Sequence, residues 1–168
     1  MNAANVSNGS TSPRSQYFGF KIFNGILLLL GNLTFGVGLA AIILINQENL
    51  HGSIVNGATA STITGLFTQV IGILGFIAVY KKDLNLFKAY CYGAILVGAI
   101  FWISHGLMQL TIFLRLPETV DVRILALLWS GFFLIVLTTI IGALSTLASY
   151  TILNDAKAEN KSIDQVPC

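Results

Sequence analysis

The chain has 168 residues, of which 55% are hydrophobic and 10% are charged, and because soluble domains carry about 25% charged residues, this composition is that of a membrane protein. Its nine basic and seven acidic residues leave a formal net charge of +2 without a dense basic cluster, which excludes nucleic acid as a main partner. Two cysteines cannot by themselves supply the four ligands of a structural zinc site, and two histidines are a weak basis for a metal centre, so we expect no metal and no other cofactor.

The first half of the chain predicts two membrane spans. Residues 1–17 form a polar Ser/Asn-rich arm that we expect to be disordered. The charge-free stretch 22–47 predicts a span at about 20–45, long enough to cross a hydrocarbon layer of ~30 Å at ~1.5 Å per residue. The Gly/Asn-rich stretch Asn46–Ser61 is too polar for lipid and predicts a loop, so the second span covers only about 62–80.

The second half predicts two further spans with short connections. A tight KKDLN turn at Lys81–Asn85 leads into a third span at about 87–113. The loop RLPETVDVR at Arg115–Arg123 leads into a fourth span at about 124–151. Residues 154–168 form a polar tail that we expect to be disordered.

The predicted fold is therefore an all-α integral membrane protein, with an antiparallel bundle of four transmembrane helices at 18–153. Seven basic residues fall on the side that holds both termini and the KKDLN turn, and two fall on the other side. Because cytosolic loops carry the excess of Lys and Arg, both termini are predicted to be cytosolic. All five tyrosines fall at the same interface, where they form half of an aromatic belt.

Small residues recur on one face of each predicted span, which lets helix backbones approach closely in lipid. One interpretation is that these faces close the chain's own bundle, and the other is that one of them contacts a second protein. The faces of the first two spans carry Gly31, Thr34, Gly38, Gly65, Thr68, Gly72 and Gly75. The residues singled out for contact with a partner are Gly36 and Ala40 on the first span and Ala94 and Gly98 on the third.

Polar side chains lie near the predicted bilayer midplane in all four spans. This layer consists of Asn32, Gln69, His105, Thr138 and Thr139. An amide in hydrocarbon needs a hydrogen-bond partner, so we expect Asn32 and Gln69 to bond across the first and second spans and to set their register. A path for water or a small solute is the alternative interpretation.

His105 and Gln109 lie four residues apart, on one face of the third span. Ionisable groups inside a membrane are candidate functional residues, and His105 is interpreted either as a packed, hydrogen-bonded residue or as a pH-sensitive element. The spans contain no carboxylate, which most proton-coupled carriers need. The chain also has no nucleophile elbow and no phosphate-binding Gly-rich loop, so we expect no enzyme activity.

Cys91 lies three residues after Lys88 at the predicted inner interface, beside Tyr90 and Tyr92. S-acylation occurs at cysteines in such juxtamembrane positions, and we predict that Cys91 is palmitoylated. The alternative is a buried thiol that packs as a small apolar group.

Two stretches of the chain resemble tetraspanins. KIFNGILLLLGNLTFGVGLAAIIL at Lys21–Leu44 is similar to their first span, with an early asparagine at Asn24. ITGLFTQVIGILGFIAVYKKDLNLFKAYCYGAIL at Ile63–Leu96 is similar to their second span, short basic turn and juxtamembrane cysteine. Tetraspanins carry a large disulfide-bonded Cys-Cys-Gly loop before their fourth span, where this chain has only RLPETVDVR. The chain thus resembles a tetraspanin-like protein that lacks this loop, or another four-span family such as the MARVEL proteins.

The resemblance implies lateral organisation of other membrane proteins without catalysis. We expect a non-catalytic organiser or accessory subunit that binds a larger integral membrane protein, or copies of itself, through its spans and in contact with membrane lipids. The alternatives are a transporter or channel for a small solute or ion and, third, a lipid-modifying enzyme. The short loops favour contact inside the bilayer, and we expect the plasma membrane rather than an endomembrane.

Overall fold

A computed structural model describes residues 13–47, 53–114 and 121–163. Within these ranges the chain forms helices joined by tight turns. The α-helices are α1 Pro13–Gln47, α2 Ser53–Lys81, α3 Leu84–Val97, α4 Ser104–Phe113 and α5 Val122–Ile163. A π-helical turn, Gly98–Ile103, joins α3 to α4, so that α3, this turn and α4 form one third span.

Four stretches are long and apolar enough to cross a membrane, and they cover Tyr17–Gln47, Ile54–Lys81, Leu84–Leu110 and Val122–Ala158. Large hydrophobic side chains occupy the outward faces of the helices as well as the core, which is typical of helices surrounded by lipid. The expected all-α architecture with four spans is confirmed, and it supports an integral multi-pass membrane protein.

The first and last helices extend beyond the predicted spans toward the ends of the chain. α1 begins at Pro13, and proline is well placed at a first helical position because its missing N–H would be unpaired there anyway. α5 continues to Ile163, although the sequence predicts a disordered tail from residue 154, since the alanine, lysine and glutamate of this segment are good helix formers. Residues 1–12 of the predicted arm and 164–168 of the predicted tail lie outside the described residues.

α2 begins at Ser53, so most of the stretch predicted as a loop up to Ser61 is helical. One side of this part of the helix lies inside the bundle, where Ala58, Ala60 and Ser61 are buried, whereas Asn56 and Thr59 on the other side are exposed. The hydroxyl of Ser61 donates to the carbonyl of Gly57 at 3.1 Å, which satisfies this polar group within the helix. The composition of the stretch was therefore misleading, because the neighbouring helices supply the apolar surroundings.

The four spans pack as a bundle in which α1 makes its most extensive contacts with α2 and then with α5, and the third span packs against the same two helices. One core cluster, which includes Phe20, Phe87 and Tyr90, fills the end that holds the α2–α3 turn. A second cluster, which includes Ile45 and Ile124, fills the opposite end. With four spans, the start of α1 and the end of α5 lie beside the α2–α3 turn, and we call this end of the bundle the turn end.

The α2–α3 turn is held by two local features. Lys82 has a φ of 51°, a left-handed conformation of the kind that ends helices. The side chain of Asp83 then caps α3 by accepting a hydrogen bond from the backbone nitrogen of Asn85 at 2.8 Å. The resulting short connection keeps α2 and α3 adjacent and sets which of their faces meet.

Glycines hold α1 and α2 close together. A Cβ atom added to Gly65 would lie 2.7 Å from the Cα of Phe35, and one added to Gly38 would lie 2.6 Å from the amide nitrogen of Thr62. Both neighbours are backbone atoms, so the two helices could not keep their separation with a larger residue at either position. The small-residue faces of the first two spans thus pack within the chain's own bundle.

Candidate functional site

The third span changes helical phase at its centre. Buried residues of α3 recur every three or four positions up to Val97, whereas the next buried residue, Trp102, comes five positions later. The π-helical turn Gly98–Ile103 accommodates this wider spacing. Trp102 near the end of the turn, with His105 and Gln109 beyond it, shares the face that packs against α2.

Three side chains of this face meet three hydroxyls of α2, and we call these pairs the polar ladder. The pairs are Trp102 with Thr68, His105 with Thr64, and Gln109 with Ser61. The indole Nε1 of Trp102 lies 3.0 Å from Oγ1 of Thr68. Each step of three or four residues along the third span is matched by a similar step back along α2, as expected for two antiparallel helices that meet along one face.

The backbone of α2 determines the direction of the ladder's hydrogen bonds. The hydroxyls of Ser61, Thr64 and Thr68 each donate to the carbonyl four residues earlier, at 3.1, 2.8 and 2.8 Å. A hydroxyl has a single proton to donate, so each of these oxygens accepts its bond from the third span. This network assigns the proton of the His105 ring to Nδ1 and makes the third span the donor in all three pairs.

Two buried amides extend these contacts but are only partly satisfied. Asn24 of α1 donates from Nδ2 to the carbonyl of Gly72 at 2.6 Å, and Gln109 reaches the carbonyl of Gly57 at 3.5 Å. The amide oxygens, Oδ1 of Asn24 and Oε1 of Gln109, have no hydrogen-bond partner among the described residues. Because a buried acceptor without a donor costs about 1–3 kcal/mol, these amides stabilise the bundle less than their bonds alone would.

The structure does not gather the predicted midplane layer into one network. Asn32 is exposed and donates from Nδ2 to the carbonyl of Leu28 in its own helix, at 2.9 Å, rather than crossing to α2. Gln69 is half-buried. Thr138 and Thr139 donate to carbonyls of α5 at 2.7 and 2.8 Å. A polar side chain near the midplane can thus be satisfied by its own helix, which depth alone does not reveal.

Of the predicted site residues, His105 joins the polar ladder, together with Gln109. Four other residues of the ladder were not predicted from the sequence as site residues, and these are Ser61, Thr64, Thr68 and Trp102. Their spacing was an available signal, because hydroxyls at 61, 64 and 68 and N–H groups at 102, 105 and 109 recur at the same intervals of three and four. Such intervals place side chains on one helical face.

Near the turn end, two hydroxyls of α5 contact α3. The hydroxyl of Tyr90 lies 2.6 Å from Oγ of Ser145, and Sγ of Cys91 donates to Oγ of Ser149 at 3.2 Å. Cys91 is buried, so acylation of its sulfur would require the thiol to leave this contact. The palmitoylation of Cys91 stays a prediction.

An open groove of about 520 Å³ runs between the third span and α5. Small residues on both walls provide its space, and they are Ala94, Gly98, Ala99 and Ala143. Two of the predicted partner-face residues, the buried Ala94 and the half-buried Gly98, therefore lie on this groove. The other two lie on α1, where Gly36 is exposed and Ala40 is half-buried.

No protein-family model, curated protein or solved structure matches this chain. Within the described ranges, no group of three or more His, Cys, Asp or Glu side chains is placed to hold a metal ion. What the polar ladder offers chemically is a set of neutral donors and acceptors in apolar surroundings, which suits the fixing of helix register.

The pair of Gln109 and Ser61 gives a direct test of the ladder. Hydrogen bonds between helices in membranes are worth about 0.6 kcal/mol on average and at most ~2 kcal/mol. In a double-mutant cycle, Gln109→Met and Ser61→Ala are expected to couple by on the order of 1 kcal/mol, measured as the free energy of unfolding in micelles titrated with SDS. Asn32→Leu and Gln69→Leu form the control cycle and should be additive. Additivity of the first pair would contradict the ladder.

Proposed function

We propose that the chain is a non-catalytic membrane organiser or accessory subunit that binds a larger integral membrane protein laterally through its spans. The observation that carries this proposal is an open notch on α1, formed by Gly36 and Ala40. A Cβ atom added to Gly36 would have no atom within 4 Å, whereas one added to Gly38 would meet the α2 backbone. A small residue that the bundle itself does not use supports close approach by a helix of another protein.

The surface around this α1 notch favours a helix as the binding element. Leu33, Leu39 and Ile43 are exposed on α1, and at 3.6 residues per turn they lie on the same outward side as Gly36. Side chains of a facing helix can pack over the small residue and between its larger neighbours, as ridges pack into grooves. The occupant with this chemistry is an apolar transmembrane helix.

The bundle interior supports packing rather than transport. Near the turn end, Phe20 lies with its ring centre 5.4 Å from that of Phe87 and 5.1 Å from that of Tyr90, and these rings fill the space between helices. Toward the opposite end, the donors of the polar ladder are bound to α2 hydroxyls. A path for water or solute needs polar groups turned toward a shared lumen, so these contacts favour a closed bundle.

The tetraspanin-like stretches 21–44 and 63–96 agree with a role in lateral organisation. On the same ground we propose the plasma membrane as the location. A homo-oligomer formed through the α1 notch is the alternative to a larger partner. Mass analysis of the complex distinguishes the two, because a homo-oligomer contains multiples of one chain only.

Gly36→Leu is expected to abolish partner binding while leaving the chain folded, because position 36 has open space for a side chain. The partner is first identified by mass spectrometry of the covalent adduct formed in membranes by a photo-crosslinking residue at position 43, where the exposed Ile43 lies beside the notch and not in it. Its stoichiometric recovery in mild detergent is then compared between wild type and Gly36→Leu. Gly19→Leu is the matched control, because a Cβ atom added to Gly19 also has no atom within 4 Å.

Two results would count against the proposed role, and a third would count against the notch. The first is a folded Gly36→Leu protein that still recovers the cross-linked partner in wild-type amounts. The second is flux of ions or small solutes carried by the purified chain alone in liposomes. Loss of binding in both Gly36→Leu and Gly19→Leu would place the contact elsewhere on α1 and would refute the notch.

Both termini are expected to be cytosolic, because the sequence assigns seven basic residues to the side of the termini and the KKDLN turn and two to the other side. Tags at the two ends of the chain should be protected from protease added outside intact cells. They should become accessible once the membrane is permeabilised. Digestion of either tag in intact cells, or a glycan on Asn5 or Asn8, would reverse the assignment.

A further inference from the structure

The groove between the third span and α5 is about one leaflet deep. Its walls run from Cys91 to Ile103 on the third span and from Thr139 to Tyr150 on α5. At ~1.5 Å per residue each wall is roughly 16–18 Å long, about half of the ~30 Å hydrocarbon thickness. A transmembrane helix of a partner would contact the bundle over the whole depth of the bilayer. A groove of this length instead fits a hydrocarbon chain that enters from a single leaflet.

The lining suits a hydrocarbon chain. Thr139 and Thr146 line the groove, but their hydroxyls donate to the carbonyls of Ile135 and Gly142, both at 2.8 Å. These side chains therefore have their polar atoms satisfied by α5. The buried Trp102 lines the groove at its deep side. A volume of about 520 Å³ lies within the ~300–1,000 Å³ typical of small-ligand sites.

Two lysines continue the walls of the groove toward the turn end. Lys88 precedes Cys91 by three residues and Ile95 by seven, so it lies on the groove-facing side of α3. Lys157 follows Tyr150 by seven residues, two turns further along the same side of α5. Both lysines are exposed. They lie where the apolar spans end and lipid headgroups begin.

Of the described acidic residues near the turn end, Asp83 and Asp155 do not share this side. The Asp83 carboxylate accepts from the backbone nitrogen of Asn85 as the cap of α3. On α5, Asp155 follows Tyr150 by five residues and Glu159 follows it by nine, which places them about 140° and 180° around the helix at 3.6 residues per turn. The mouth of the groove is therefore positively charged, which complements a phosphate group.

We propose that this groove binds one anionic membrane phospholipid. An acyl chain lies between the third span and α5, and Lys88 and Lys157 hold the phosphate at the mouth. Basic residues at an anionic membrane surface each strengthen binding by about fivefold, so the two lysines together select the anionic headgroup. The α1 notch lies on another helix, and the lipid site does not depend on it.

The test is native mass spectrometry of the purified full-length protein. The protein is equilibrated in micelles that contain equal amounts of 1-palmitoyl-2-oleoyl phosphatidylglycerol and the corresponding phosphatidylcholine. Wild type should retain one lipid, with phosphatidylglycerol preferred about 25-fold at about fivefold per lysine. The Lys88→Gln, Lys157→Gln double variant should lose this preference. The control, Lys21→Gln with Lys82→Gln, changes two exposed lysines away from the groove and should keep it.

A second pair of variants tests the acyl-chain site. Ala143 lines the groove and is exposed. Ala143→Phe should therefore fill the groove, so that the protein retains neither phosphatidylglycerol nor phosphatidylcholine. Ala126→Phe, at an exposed position elsewhere on α5, should retain them. If Ala143→Phe does not fold, the lysine variants decide the question, because they alter exposed side chains only.

Several outcomes would overturn the lipid site. These are equal retention of the two lipids by wild type, an unchanged preference in the Lys88→Gln, Lys157→Gln variant, and retention of lipid by a folded Ala143→Phe protein. Displacement of the lipid by inorganic phosphate would identify phosphate alone as the ligand. A complex of two protein chains that Ala143→Phe breaks without loss of lipid would identify a protein as the occupant.

Discussion

A Gly65→Leu protein is expected not to assemble the bundle. A Cβ atom at this position would lie 2.7 Å from the Cα of Phe35 and 2.8 Å from the carbonyl oxygen of Gly31, both in the backbone of α1. Backbone cannot rotate aside as a side chain can, so α1 must separate from α2 along the most extensive helix contact in the bundle. The expected loss exceeds the ~4–5 kcal/mol above which single substitutions are exceptional.

The measurement is the free energy of unfolding in an SDS titration, in which circular dichroism and Trp fluorescence are the two signals that report unfolding. Gly36→Leu makes the same chemical change where no atom of the bundle lies within 4 Å, and it should stay within about 0.5 kcal/mol of wild type. Wild-type stability of Gly65→Leu would show that α1 and α2 do not approach through this glycine.

Trp102→Ala is expected to cost about 3 kcal/mol, the lower end of the range for removing a buried aromatic ring. Trp102 is 3% exposed, and its ring lies against Gly142, where an added Cβ atom would overlap it. The substitution therefore leaves a cavity between the third span and α5. We expect the lower end of this range because the substitution removes packing contacts between helices in lipid, where the hydrophobic effect of water does not hold the helices together. The SDS titration described above measures this loss.

Trp129→Ala is the control for loss of a tryptophan, because Trp129 is 41% exposed, and it should cost well under half as much. Trp102→Phe keeps an aromatic ring but removes the indole N–H that reaches Thr68. In a cycle with Thr68→Val it should couple by on the order of 1 kcal/mol. Equal losses for the two Trp→Ala variants would contradict a structural role for the indole at the centre of the bundle.

The two proposed interaction sites differ in depth and in charge. The α1 notch is an apolar feature flanked by exposed leucine and isoleucine, and it offers a surface for a helix. The groove beside α5 extends through about one leaflet and ends at two lysines, and it offers a site for a lipid. A protein that organises its surroundings in the bilayer would use both kinds of contact, and each is tested by substitutions that leave the other unchanged.

The class of protein and the number of spans follow from the sequence alone. A membrane span must hydrogen-bond its backbone polar groups within its own helix and must cross roughly 30 Å of hydrocarbon. Charge-free stretches of sufficient length therefore identify the spans. The same argument marks the ends of the spans, because lysine and arginine lie outside the hydrocarbon. It failed for residues 53–61, where Gly57, Ala58, Ala60 and Ser61 are buried against neighbouring helices although the stretch as a whole is polar.

Which polar side chains meet was decided by the tertiary structure. Asn32 and Gln69 were predicted as partners from their depth, yet Asn32 bonds the backbone of α1, while His105 and Gln109 reach hydroxyls of α2. Depth is one coordinate, and a contact also requires that two residues face each other around their helices. One inserted residue rotates everything beyond it by about 100°, so a single π-helical turn in the third span determines which residues face α2. Hydropathy carries no information about that rotation, because lipid-facing and helix-facing positions in a membrane are both apolar.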